Sequence, residues 1–155
     1  MKVEVQLENG SYEDRIPAWI NFTKQTADRT FNGVYVQLGN YKFKNPKPSW
    51  SNEGLTIYEC HIGMAGPEER VHTFSEFREN VLPRIKKLGY KVIQIMGVIE
   101  HPYYGSFGYH CSSFFSVSSR FGTPNEFKQM VDAAHGMGIK VVIDLVHSHA
   151  AKNVN

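Results

Sequence analysis

The chain has 155 residues, 41% of them hydrophobic and 21% charged, the make-up of a soluble globular domain with enough apolar mass for a core. Its 17 basic and 15 acidic residues leave a formal charge of +2, which offers no concentrated field for nucleic acid or an anionic membrane, so no partner of either kind is expected. No stretch approaches the roughly 20 apolar residues that cross a bilayer, and Met1-Lys2-Val3-Glu4-Val5 has no apolar signal core. The expected compartment is therefore the cytosol, or a plastid if the source is a plant.

Residues 1–54 read as a β-rich lead-in. Short alternating segments, Met1 to Leu7 and Gly33 to Leu38, are broken by turn residues and end in the Pro-marked linker Asn45-Pro46-Lys47-Pro48-Ser49. From Leu55 the pattern changes. Leu55 to Ile62 is apolar and β-branched enough for a buried strand, and a Gly-Met-Ala-Gly-Pro loop follows. Thr73-Phe74-Ser75-Glu76 has capping-box spacing, with hydroxyl and carboxylate placed to satisfy free amides at a helix start. Phe74, Phe77, Val81, Ile85 and Leu88 then recur at steps of three or four along one face. Pro83, with no amide hydrogen, predicts a kink or two short helices there, and Gly89 closes the run.

Val92 to Ile99 reads as a second strand, followed by a polar, aromatic loop from Glu100 to about Gly122. Thr123-Pro124-Asn125-Glu126 is a second capping box with Pro at the first helical position. Behind it Phe127, Met130, Val131 and Ala134 form an apolar face, and Gly136 and Gly138 end the helix. Lys140 to Val146 is a third strand, apolar on both faces except at Asp144. Strand, helix, strand, helix, strand, with strands apolar on both faces, predicts an α/β fold built from βαβ units on a parallel sheet. Three strands are few for such a sheet. With no helix after the third, an architecture truncated beyond Asn155 is expected.

Functional groups of parallel α/β folds gather at the carboxyl ends of the strands. Three clusters fall there: Tyr58 to Gly63, Glu100 to Tyr109, and Asp144 to His149. Asp144, flanked by Val142, Ile143, Leu145 and Val146, must be paired or hydrogen-bonded to be tolerated, which fits either a structural pair or a site. His147 and His149, two apart, face one way along an extended chain and could hold a metal, though a metal needs further ligands that the spacing does not offer. The other reading of His147 is a loop histidine bonded to backbone. The loop Tyr103 to Tyr109 sets flat aromatic rings among turn glycines and suits the apolar faces of sugars, or anchors the next helix. Phe114 and Phe115 are assigned to core packing. Cys60 and Cys111, with no CxxC pair, read as reduced, packed thiols.

Several motifs, in order, resemble one family. Asp144-Leu145-Val146-His147-Ser148-His149 is similar to the Asp-x-Val-x-x-His element at the end of the third barrel strand of the α-amylase superfamily. Ser106-Phe107-Gly108-Tyr109 resembles its Ser-aromatic-Gly-Tyr element after the second strand, and Tyr58-Glu59 with His61-Ile62-Gly63 resembles the first. Together YECHIGMAGPEERV, VLPRIKKLGY, EHPYYGSFGY, SRFGTPNEFK and DLVHSHAAKN are similar to eukaryotic-type glycogen and starch branching enzymes over residues 55–155.

The resemblance implies a partial (β/α)8 TIM barrel, its first three βα units at 55–155, and a connector at 1–54 after a carbohydrate-binding domain outside this chain. It implies an α-1,4-glucan as partner, glycogen or starch, and no metal or organic cofactor. Tyr109 would stack on the sugar beside the scissile bond, His149 would bond its hydroxyls, Asp144 would organise the floor, and Tyr104 and His147 would add contacts. The nucleophile, the acid/base and the rest of the barrel are expected beyond Asn155, leaving this chain inactive alone. The alternatives are a piece of an α-amylase-type hydrolase and a non-catalytic glucan-binding module with Tyr103, Tyr104 and Tyr109 as its platform.

Overall fold

The structure is a computed structural model that describes residues 1–36, 39, 41–50 and 54–152. The lead-in forms two antiparallel hairpins: β1 (Val3–Gln6) with β2 (Tyr12–Arg15), and β3 (Thr23–Gln25) with β4 (Phe31–Gly33). The second expected segment thus pairs earlier than its pattern suggested. Val34 to Val36 lie outside any strand, and Gln37 and Leu38 lie outside the described residues.

Three parallel strands follow in the order β5 (Ile57–His61), β6 (Val92–Met96) and β9 (Lys140–Ile143). Between β5 and β6 the chain runs through α1 (Phe74–Glu76), a π-helical turn (Phe77–Val81) and α2 (Leu82–Lys87). The run is thus divided into two short α-helices by the π-helical turn just ahead of Pro83, the second of the two outcomes expected there. The widened turn, in which the Leu82 amide donates to Phe77 O, takes up the mismatch that a missing proline donor creates. Phe74, Phe77, Val81 and Ile85 are buried as their spacing requires, but Leu88 is 69% exposed. It is the C-cap of α2, where the helical period that aimed the others inward has run out.

The second strand is shorter than its apolar run. Gly97, at φ +63°, breaks it after Met96, and Ile99–Glu100 forms a separate β7 paired antiparallel with β8 (Ser113–Val117). The segment expected to be a plain loop therefore carries a strand of its own. Helix α3 (Pro124–Gly136) leads into β9. Both capping boxes form, with Thr73 and Thr123 each accepting from the third helical amide while Glu76 and Glu126 reach back.

The core lies between the helices and one face of the parallel sheet, with Ile93, Ile95, Phe74, Leu82, Met130, Ala134 and Ile139 buried together. The register sets Glu59, Gln94 and Val142 side by side on the opposite face, since successive side chains alternate across a strand. Glu59 and Val142 are exposed and Gln94 is half-buried. The linker is fixed to α3 by Asp132. Its carboxylate accepts from the amides of Lys44 (3.0 Å) and Asn45 (2.9 Å), from Asn45 Nδ2 (3.0 Å) and from Tyr41 Oη (2.9 Å). These donors, the Lys44 amide foremost, bring its pKa down to about 2. Cys60 and Cys111 are free and buried.

Candidate functional site at the strand ends

All three clusters meet at the carboxyl ends of β5, β6 and β9, because parallel strands with helical returns place every following loop on one side. Asp144 stands one residue past β9, where its amide continues the ladder by donating to Ile95 O at 2.9 Å. The carboxylate that the sequence required to be satisfied accepts from Tyr109 Oη at 2.9 Å. That bond, and burial after it, raises the Tyr109 phenol above its ordinary pKa, since the adjacent carboxylate favours the protonated phenol.

Tyr109 is aimed by an unusually tight crossing of backbone. Phe107 and Gly108 have φ of +54° and +86°, and a Cβ on Gly108 would lie 2.2 Å from the Gly97 Cα. A Cβ on Gly97 would in turn meet Phe107 O at 2.0 Å. Only glycine at both positions lets the loop press onto the end of β6, so contact as well as φ dictates these two glycines. Cys111 Sγ reaches Gly108 O at 3.4 Å, and the Ala151 amide donates to Cys111 O at 2.8 Å, tying the segment after β9 to the same loop.

The other named residues are placed differently. Tyr104 turns inward. Its ring meets the His61 ring edge-on at a centroid distance of 5.9 Å, and its hydroxyl lies so close to Gly63 that a Cβ there would be 2.7 Å away. Tyr103 is 66% exposed. His147 is exposed and stacks on Phe114, with centroids 6.1 Å apart and 19° between planes. His149 is exposed. Among the described residues no three His, Cys, Asp or Glu side chains are grouped to hold a metal. Phe114 and Phe115, assigned to the core by their apolarity, are 40% and 49% exposed. They lie at the surface along β8, whose strand pairing among the described residues is with the two-residue β7.

Glu100 is the organising residue that the sequence reading did not single out. It is fully buried, and its carboxylate accepts from Ser119 N (2.8 Å), Ser118 Oγ (3.1 Å), His101 N (3.1 Å) and Thr23 Oγ1 (3.4 Å). Arg120 Nη1 lies 3.5 Å from it, and Arg120 Nη2 donates to Gln25 Oε1 (2.9 Å) and Pro102 O (2.8 Å). Lead-in and strand-end loop are thereby joined through one satisfied buried charge. The signal was present, an acid directly behind the apolar run Val92–Ile99. His61 and His101 are also buried, and burial lowers both pKa values.

A parallel sheet with an aromatic, carboxylate-floored mouth at its strand ends defines a barrel-type site. The family model described as alpha amylase, catalytic domain, matches residues 79–155. A putative alpha amylase from Salmonella typhimurium of known structure superposes with a TM-score of 0.81 at 28% identity, covering 99% of this chain and 25% of that one. The chain is therefore similar to the α-amylase family and has the fold of part of its TIM barrel. Within that family its similarity is to 1,4-alpha-glucan-branching enzymes. It is 49% identical to that of Dictyostelium discoideum over 156 aligned residues, 99% of this chain. It is 48% identical to the 1,4-alpha-glucan-branching enzyme 2-2, chloroplastic/amyloplastic, of Arabidopsis thaliana over 98% of this chain. The chain spans 23% and 19% of the lengths of these two relatives. No helix among the described residues is long and apolar enough to cross a membrane.

Proposed function

We propose that this chain is the opening part of a glucan-branching barrel and supplies the sugar-binding floor of its cleft. Tyr109 and Asp144 carry that role. The single observation behind it is the 2.9 Å bond from Tyr109 Oη to Asp144 Oδ2 at the strand ends, which fixes an aromatic ring beside a carboxylate facing the open mouth. Tyr109 stacks on the sugar beside the scissile bond and Asp144 holds its hydroxyls. His149, exposed on the segment past β9, bonds the same sugar, with His147 at the rim. Tyr104 supports the floor from beneath through His61. Residues 1–54 act as a connector from a preceding carbohydrate-binding domain and 55–155 as the barrel's first three βα units.

The reaction served by this floor cleaves an α-1,4 linkage. A carboxylate attacks C1 as a carboxylic acid protonates the departing 4-oxygen, and a 6-hydroxyl, losing its proton to the same base, displaces the carboxylate to form an α-1,6 branch. Such chemistry uses two carboxyl groups about 5 Å apart. The acids named at these strand ends each have a protein partner: Glu59 accepts from Gln94 Nε2 at 3.5 Å, Glu100 is enclosed by its donors, and Asp144 accepts from Tyr109. The nucleophile and acid/base are therefore assigned to the remainder of the barrel. Hydrolysis and transfer share these floor residues. Transfer is preferred because the relatives near half identity carry the branching-enzyme name, while the amylase structure is 28% identical.

Calorimetric titration of malto-oligosaccharide into the full chain tests the floor. Tyr109→Ala and Asp144→Asn are each expected to weaken binding by about tenfold, as loss of a buried aromatic or charged anchor does. Binding unchanged in both variants would remove the assignment.

A further inference from the structure

Away from the strand ends, a groove forms where the linker crosses α3. Residues 41–48, Tyr-Lys-Phe-Lys-Asn-Pro-Lys-Pro, carry three lysines and no acid, a local excess that the overall charge of +2 conceals. Asp132 holds this segment by its backbone, through the amides of Lys44 and Asn45, which leaves the Lys44 side chain outside the clamp. Asn45 presses on the helix end, where a Cβ on Gly136 would lie 2.9 Å from Asn45 Cγ. Phe43 packs edge-on against Tyr41, with centroids 5.1 Å apart, and tilted by 34° against His135 at 6.1 Å. Between linker and helix lies a groove of about 580 Å³ lined by Phe43, Lys44, Asn45, Pro46, Lys47 and His135. Because α3 ends at Gly136 and β9 begins at Lys140, the groove stands at the amino ends of the parallel strands, opposite the mouth that holds Tyr109 and Asp144.

We propose that this groove is a nucleotide-binding site, with the phosphate held by Lys44, Lys47 and His135 and the base laid on Phe43. The ligand class follows from the lining. No acidic side chain lines the groove among the described residues, and no salt bridge there joins the Lys44 or Lys47 ammonium to a carboxylate. The nearby acid, Asp132, spends its carboxylate on the amides of Lys44 and Asn45, Asn45 Nδ2 and Tyr41 Oη. Two ammonium groups and an imidazole offer several donors to the oxygens of one phosphate. Phe43, 49% exposed, adds an aromatic face of the kind on which bases stack. The volume lies within the roughly 300–1,000 Å³ of small-molecule sites, room for one nucleotide. The clamp and the Asn45–Gly136 contact fix the walls in advance, so little ordering is left for binding to supply. Lying at the far end of the strands, the site takes an effector rather than the substrate of the mouth. It is independent of the glucan reading, and either can fail without the other.

Calorimetric titration of AMP into the full chain tests the site, with adenosine and inorganic phosphate as its two halves. AMP is expected to bind saturably and each half at least about tenfold more weakly, since each lacks one set of contacts. Lys44→Gln and Lys47→Gln are each expected to weaken AMP by about tenfold, the size of one lost charge-assisted contact. Lys44→Gln keeps the amide that the clamp uses, so the groove survives the change. Lys24→Gln, on the exposed side of β3, is expected to leave AMP binding unchanged. Phe43→Ala is expected to weaken AMP but not phosphate, and Phe43→Tyr, which keeps the ring, to restore it; circular dichroism identifies any variant that has not folded. The His135 ring-proton resonances, identified by their loss in His135→Gln, are expected to move as AMP is added. Phosphate binding as tightly as AMP would overturn the nucleotide assignment. An equal loss in Lys24→Gln would show general charge attraction and overturn the site, as would the absence of any AMP binding.

Discussion

Tyr109 and Asp144 show how much a single hydroxyl can govern. Because the Asp144 carboxylate favours the neutral phenol, the folded pKa of Tyr109 lies above its unfolded value near 10. The stabilisation is then fully present below pH 10 and is lost as pH rises through the folded value. A spectrophotometric titration of Tyr109 is expected to move back toward pH 10 in Asp144→Asn, and an unmoved titration would contradict the bond. The buried histidines behave in the opposite sense. His61 and His101 have folded pKa values below 6.5, burial being the larger cause in each. As pH falls below 6.5 the unfolded chain takes up protons that the native fold excludes, so stability declines from neutral toward acid pH. Urea midpoints measured from pH 7 to pH 5 are expected to fall, and to fall less in His61→Phe. These residues were readable to different depths. Asp144 drew notice as a carboxylate within an apolar run and does have a partner, Tyr109, although the strand expected to contain it ends at Ile143. The burial of Glu100 was not readable, because its donors Thr23, Ser118 and Ser119 come from segments whose approach no local spacing encodes.

The elements were best read where the rule is local. Both capping boxes stand at the positions their Thr-x-x-Glu spacing indicated. Thr123→Ala is expected to cost about 1 kcal/mol in a denaturant titration, the usual value of a lost N-cap. Glu76 adds a pH signature. Its carboxylate, held down to about 2 first by the Arg70 guanidinium, gives stability that is present above pH 4.5 and lost as pH falls toward 2. Where two rules compete, the sequence misled. Val92–Ile99 is one apolar run but two strands, since Gly97 at positive φ turns the chain to let Gly108 cross it. Gly108→Ala forces a positive-φ strain and a backbone clash at once, and is expected to destabilise the fold by at least about 1–3 kcal/mol while releasing Tyr109 from Asp144. Phe114 and Phe115 misled for a related reason: apolarity was taken as burial, whereas a strand with one short neighbour keeps both rings at the surface.

Over the whole molecule, the parallel order β5-β6-β9 was foreseeable from the alternation of strands and capped helices, and the likeness to amylase-family structures agrees with it. The fastening of the lead-in was not, because the Asp132 clamp on residues 41–45 and the Glu100–Arg120–Gln25 junction join segments about ninety positions apart. Asp132→Ala is expected to open the linker to limited proteolysis near Lys44 while leaving the barrel strands protected, and an unchanged digestion pattern would contradict the clamp. The measurement that bears most directly on the proposed division between a glucan-binding floor and catalytic carboxylates supplied elsewhere is branching of amylose by the purified full chain, read by iodine staining and by isoamylase release of α-1,6-linked chains. Glucan binding without branch formation is the predicted result. New α-1,6 linkages formed by this chain alone would mean that two of its own carboxylates act as nucleophile and acid/base, and would overturn the division of labour proposed for Asp144, Glu100 and Glu59.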